Sequence, residues 1–159
     1  MTETHYIGVD PGLTGAVAVL TERGELVEVA DLPTFKAASG RSLIDAQRLA
    51  LMLGKYRHSA RVFVEQVAAR PTDSRVAAFA FGRSLGAIEA AVAIAGIPMT
   101  RSQPAAWKRT AGIGAGSAKD ASIEAARRLV PASEPLLTAK SHHNRADALL
   151  IAWHGLRHG

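Results

Sequence analysis

Short apolar runs broken by glycine, proline and charged turns fill the first third of the chain. His5 to Val9 is β-branched and runs into a Pro-Gly breaker, Ala16 to Leu20 is apolar throughout, and Leu26 to Ala30 alternates. Each predicts a strand. The connections Asp10–Gly15 and Arg23–Glu25 are tight, so the three strands read as an antiparallel meander. Residues 31–41, with Pro33, Ser39 and Gly40, read as a loop. From Ser42 to Arg57, Leu43, Ala46, Leu49, Ala50 and Leu53 recur at helical spacing and predict a helix. Arg61 to Glu65 is a fourth strand whose apolar run ends in a carboxylate.

The longest helical pattern spans Thr72 to Gly96. Phe81, Leu85, Ile88, Val92 and Ala95 share one face, and Gly82, Gly86, Ala90 and Ala93 line an adjacent one with small side chains. Packing onto the sheet is the expectation for the small-residue face, with a subunit contact as the alternative. Ile97 to Arg101 predicts a fifth strand, and Pro104 opens a short helix through Trp107. Gly112–Gly116 is a flexible loop. Ser117-Ala118-Lys119-Asp120 resembles a capping box, with Asp in the usual Glu or Gln position, opening a helix that stops near Pro131. Residues 131–144 read as a polar connection. Arg145 to Leu156 is the last helix, with Ala146, Leu149, Leu150 and Trp153 at helical spacing. The main elements run β-β-β-α-β-α-β-α-α, which describes an α/β fold: one domain over residues 1–159 with a mixed five-stranded sheet flanked by helices.

Composition narrows the chemistry. With no cysteine among 159 residues, disulfide scaffolds, thiolate zinc sites and cysteine nucleophiles are excluded. The longest uncharged run in the Ala-rich middle, Ala90 to Thr100, is 11 residues, short of the roughly 18 that a membrane span needs. The N-terminus carries no basic and apolar leader pattern, so the expectation is a cytoplasmic protein with no membrane partner. The net charge of +5 is uneven: residues 1–100 carry ten basic and ten acidic residues, whereas residues 101–159 carry nine and four. Local positive charge suits a polyanion, because each neutralised phosphate releases counterions.

Three of the 14 acidic residues stand at the ends of apolar runs: Asp10 after Ile7-Gly8-Val9, Glu65 after Val62-Phe63-Val64, and Asp147 before Ala148-Leu149-Leu150. Charge at the edge of an apolar core is costly unless it is paired or ligates a metal. Taken singly, Asp10 has a role holding the Pro-Gly turn, Glu65 pairs with Arg70 or Lys119, and Asp147 caps a helix. Taken together, three converging carboxylates call for a divalent cation, and magnesium is the oxygen-seeking choice. The Asp10–Gly15 turn resembles the phosphate loop of actin-like ATPases, but 159 residues are too few for that two-lobed fold. The turn also lacks the G-x-G-x-x-G spacing of a dinucleotide site.

Five segments in order resemble the RuvC family of Holliday-junction resolvases, within the RNase H-like superfamily. They are Gly8-Val9-Asp10-Pro11-Gly12; Val64-Glu65-Gln66-Val67; Gly82-Arg83-Ser84-Leu85-Gly86; the basic stretch Trp107-Lys108, Gly112-Ile113-Gly114 and Ser117-Ala118-Lys119; and Ala146-Asp147-Ala148-Leu149-Leu150-Ile151-Ala152. The resemblance implies an RNase H-like fold and a homodimeric endonuclease that nicks four-way DNA junctions in symmetric pairs by two-metal phosphodiester hydrolysis. It implies metal-binding and catalytic roles for Asp10, Glu65 and Asp147, with Mg2+ as cofactor and Mn2+ as a substitute. It implies that Lys108 and Lys119 approach the DNA near the scissile phosphate, Lys119 stabilising developing charge. Arg70, Arg75 and Arg109 complete the expected DNA contacts. A branch-migration protein is a further expected partner.

Two positions depart from the family pattern. Where relatives carry an acidic residue or histidine, three before the final aspartate, this chain has Asn144, with His143 beside it as the other candidate ligand. Where many relatives carry an aromatic after the Glu-Gln-Val segment, this chain has Ala68. The competing readings are another RNase H-like nuclease, of the YqgF RNA-processing type or a branched-DNA debranching enzyme, and a non-catalytic junction-binding module.

Overall fold

The structure is a computed structural model that describes residues 3–118 and 120–159. Its elements are β1 (His5–Asp10), β2 (Ala16–Thr21), β3 (Leu26–Asp31), β4 (Thr34–Lys36), β5 (Ser42–Ile44), α1 (Ala46–Gly54) and β6 (Ala60–Glu65). They continue with α2 (Arg75–Ala95), β7 (Met99–Ser102), α3 (Pro104–Thr110), α4 (Ala121–Leu129) and α5 (His143–His158). Five strands form one mixed sheet in the order β3-β2-β1-β6-β7, with β1 antiparallel to β2 and parallel to β6. The meander and the two crossover strands expected from the sequence are all present.

The period-two rule splits the strand residues between two cores. Ile7, Val9, Val17, Val19, Val62 and Val64 face α1 and α2, joined by Ile88, Val92 and Leu49. Ala16, Ala18, Leu20 and Phe63 face α3, α4 and α5. Small residues dominate that second strand surface, and α5 lies almost directly on β1. A Cβ added to Gly8 would sit 2.0 Å from the Ala148 carbonyl oxygen and 2.3 Å from the Ala152 nitrogen. Only glycine allows this approach, and it is what brings Asp147 to the end of β1.

The structure corrects the sequence reading in four places. Residues 31–41 are not all loop, and the helix expected from Ser42 starts later: β4 and β5 form a two-stranded hairpin, with Phe35 opposite Leu43. Asp45 then caps α1 by accepting from Arg48 N at 2.9 Å. The Ser117–Asp120 capping box is not made, since Ser117 Oγ donates to the Gly114 carbonyl at 2.7 Å and α4 begins at Ala121 without a side-chain cap. Residues 131–144 hold 3-10 turns at Pro131–Leu136 and Lys140–His142, and α5 starts at His143 rather than Arg145.

The fourth correction concerns α2. By length and composition this helix is long and apolar enough to cross a membrane, although Ile88, Ala91, Val92 and Ala95 are buried against the sheet. Its small-residue face does not pack on the sheet. Gly82, Gly86, Ala90 and Ala93 are exposed, flanked by Phe79 at 74% and Val76 at 65% exposure.

Candidate active site at the edge of the sheet

Asp10 is the last residue of β1 and Glu65 the last of its parallel neighbour β6, so both carboxylates leave the sheet at the same edge. Asp147 joins them from α5. As the fifth residue of that helix it is not a cap, a position held by His142. Nor does Glu65 pair with Arg70 among the described residues; it accepts instead from the indole Nε1–H of Trp107 at 3.1 Å. Trp107 is fully buried in α3. The sequence places Trp107 at the end of a short helix and in the basic stretch, and does not by itself pair its indole with Glu65. An indole N–H inside a core needs an acceptor, which was the available signal.

The three carboxylates repel one another in a desolvated setting. Burial, then Asp147 and Glu65, push the Asp10 carboxyl from 3.8 up to about 8. Burial also raises Glu65, aided by Asp147 and opposed by the Trp107 bond and Lys108. Asp147 is raised by burial, with the Ser122 hydroxyl, Lys108 and His143 pulling the other way. Asp147 Oδ1 is buried and has no hydrogen-bond partner among the described residues. Three carboxyls raised by burial, one with an oxygen unpartnered among the described residues, are stabilised by positive charge, and hard oxygen donors of this kind fit a divalent cation such as Mg2+ or Mn2+. As the side chains stand, no group of three Asp, Glu, His or Cys among the described residues is gathered to enclose one ion. The set is therefore an open rim rather than a closed cage.

Beside Asp147 lies a cavity of about 740 Å³, lined by Lys108, Arg109, the loop Ile113–Ala118, Ser122 and His143. Lys108 also stacks its ammonium over the Trp107 ring, 5.3 Å from the centroid. His143 and Asp147 are one turn apart on the same helix face, and His143 lines the cavity. Asn144 points elsewhere: its Nδ2 donates to the Thr14 carbonyl at 2.6 Å and contacts the Thr14 hydroxyl at 3.2 Å. Arg145 makes a two-pronged pair with Asp31, through Nε at 2.7 Å and Nη2 at 2.8 Å, which lowers the Asp31 carboxyl. These two contacts clamp the start of α5 to the β1–β2 turn and to the end of β3.

Of the remaining expected DNA contacts, Arg109 lines the cavity, Arg75 opens α2 and is exposed, and Arg70 sits in the loop after β6 with its backbone N–H on Asp73. Lys119 lies outside the described residues.

A mixed sheet in this order, with acidic residues at the ends of its two central strands and a helix laid across β1, is the RNase H-like fold. The molecule superimposes on Thermus thermophilus RuvC with a TM-score of 0.60 at 24% identity, over 95% of this chain and 92% of that one. It matches T. thermophilus RuvC in complex with a Holliday junction substrate equally well, with a TM-score of 0.60 at 22% identity over 95% and 91%. The fold is therefore that of RuvC. In sequence, 90 residues are 36% identical to the chloroplastic Holliday junction resolvase MOC1 of Chlamydomonas reinhardtii. That stretch is 57% of this chain and about a tenth of the length of the relative. No family model matches the chain.

Proposed function

We propose that the chain is a structure-specific, divalent-metal-dependent endonuclease that resolves four-way DNA junctions. The observation that carries this reading is the meeting of buried Asp10 with half-buried Glu65 and Asp147, from β1, β6 and α5, at one sheet edge beside Lys108. Similarity to RuvC in fold and to MOC1 in sequence supports the junction as substrate.

Asp10, Glu65 and Asp147 would hold the cations, Mg2+ or Mn2+. His143 is the better fourth donor, because it lines the cavity together with Asp147, whereas Asn144 is turned to Thr14. Bound divalent ions supply Lewis acidity at phosphate and lower the pKa of water. The chain's own residues do the rest. Asp10, at the end of the central strand β1, feels the charge of both other carboxylates. Trp107 fixes the rotamer of Glu65 from behind. Lys108 and, by the family resemblance, Lys119 place positive charge where the phosphate gathers negative charge during in-line attack. Arg70, Arg75 and Arg109 would meet neighbouring phosphates. Products would be 5′-phosphate and 3′-hydroxyl ends that a ligase can seal.

Paired, symmetric nicks require two sites related by a twofold axis. The exposed small-residue face of α2, rimmed by Phe79 and Val76, suits close helix–helix contact with a second copy. Residues 1–159 would then act as one catalytic unit in a homodimer, to which a branch-migration protein would deliver junctions.

The test is cleavage of a mobile, end-labelled four-way junction in magnesium, with Asp10→Asn, His143→Ala and Asn144→Ala alongside. We expect religatable paired nicks from the wild type, none from Asp10→Asn with junction binding retained, and a larger loss from His143→Ala than from Asn144→Ala. Junction binding without cleavage in either Mg2+ or Mn2+ would make the chain a binding module. Cleavage of RNA in preference to the junction would move it to the RNA-processing branch.

A further inference from the structure

The β4–β5 hairpin has no part in the carboxylate site and no counterpart in the expected elements. Its placement follows from strand register. Asp31, the last residue of β3, pairs with Ala16, which pairs with Asp10, so the hairpin leaves the sheet at the carboxylate edge. It lies against α2, whereas Lys108, Arg109 and the 740 Å³ cavity lie on the α3–α5 side.

The base of the hairpin is anchored by buried Leu32 and Ile44 and by Asp45 N–H donating to the Pro33 carbonyl at 2.8 Å. Thr34, Phe35 and Lys36 are all exposed. The tip is a closed turn, with Ala37 N–H to the Arg41 carbonyl at 2.9 Å, Gly40 N–H to the Ala37 carbonyl at 2.8 Å, and Gly40 at φ +78°. Cross-strand partners project from the same face of a ribbon. Phe35 with Leu43 and Ala37 with Arg41 define one face, and Lys36 with Ser42 the other. Lys36 and Arg41 therefore flank the tip on opposite faces, and neither is ion-paired among the described residues. Arg83 of α2, also without an ion pair among them, shares a small pocket with Phe35 and Leu43.

A narrow two-stranded ribbon bearing a cation on each face matches a nucleic-acid groove, where a phosphate backbone runs along either side; the major groove of B-DNA is about 12 Å wide and admits such a ribbon. We propose that the β4–β5 hairpin enters a groove of one duplex arm of the DNA, with Lys36 and Arg41 each meeting a phosphate backbone. The carboxylate rim then lies between two basic flanks, the hairpin on one side and Lys108 and Arg109 on the other. This inference rests on the proposed function, because it needs a duplex engaged at the carboxylate edge.

The experiment compares junction binding by Asp10→Asn with that by Asp10→Asn carrying Lys36→Ala and Arg41→Ala, across a salt series. Arg83 is left intact because α2 also carries the proposed self-association face. Losing two phosphate contacts should weaken binding about tenfold near 0.1 M salt and make the log–log salt slope shallower by about two, with unchanged melting temperature. As the chain has no cysteine, Ser39→Cys places a single photo-crosslinker at the tip, expected to mark duplex DNA away from the cut. Unaltered affinity and slope, or crosslinks to a second copy of the chain with a change in particle mass, would overturn the hairpin assignment alone. Absence of junction binding by Asp10→Asn itself would overturn the resolvase reading and the hairpin inference with it.

Discussion

At the scale of single residues the site is governed by desolvation. Asp10 holds its proton in the folded chain up to about pH 8, against 3.8 ordinarily. A carboxyl raised on folding gives a native state that binds more protons than the unfolded chain between those values, so stability is fullest at low pH and falls as pH climbs towards 8. Without divalent ions, the melting temperature should therefore decline from pH 5 to pH 8. Asp10→Asn should reduce that slope, and added Mg2+ should raise the wild-type melting temperature most at pH 8. A wild-type profile that rises with pH would contradict the burial-driven shift. Trp107→Phe probes the neighbouring carboxylate. It removes a hydrogen bond to a charged group, worth about 1.5–3 kcal/mol, while keeping most of the apolar volume. Expected outcomes are a lower melting temperature and a higher half-saturating Mg2+ concentration for nicking, with ion-free junction affinity unchanged because the indole is buried.

At the scale of elements, the sequence patterns that formed as expected are those long enough to show a period. Five strands and the long α2 were legible because apolar residues repeat at two or at three to four over several turns. The hairpin was not, since each strand has three residues and its alternation merges into the helical spacing of Leu43, Ala46 and Leu49. The start of α5 was set by an Arg145–Asp31 pair and an Asn144–Thr14 bond to partners 114 and 130 residues away, which local pattern does not contain. At Gly8, α5 lies close against β1. Gly8→Ala would place a methyl against backbone that cannot yield, so the cost should reach or exceed the upper end of the roughly 1–3 kcal/mol of overpacking. Denaturant unfolding measures it, and a loss under about 1 kcal/mol would show that α5 can lift off β1.

At the scale of the whole molecule, the proposed pairing of two copies uses the outer face of α2. A Cβ at Gly86 meets nothing within 4 Å, and Glu is a better helix former than Gly, so Gly86→Glu should leave the protomer folded. With α2 as the contact between copies, the variant should halve the particle mass in light scattering and abolish paired nicking; an unchanged mass would rule this face out as that contact. The sequence by itself determined the α/β class and the five strands of the main sheet, and it singled out three acidic residues at the ends of apolar runs, because periodicity and a charge ending an apolar run are local properties. Only tertiary structure decided which face of α2 stays open, that Trp107 braces Glu65, that His143 rather than Asn144 lines the cavity, and that a basic ribbon flanks the carboxylates. Those depend on which distant segments are brought into contact, and contact across more than a hundred residues is selected by burial and register in the folded chain.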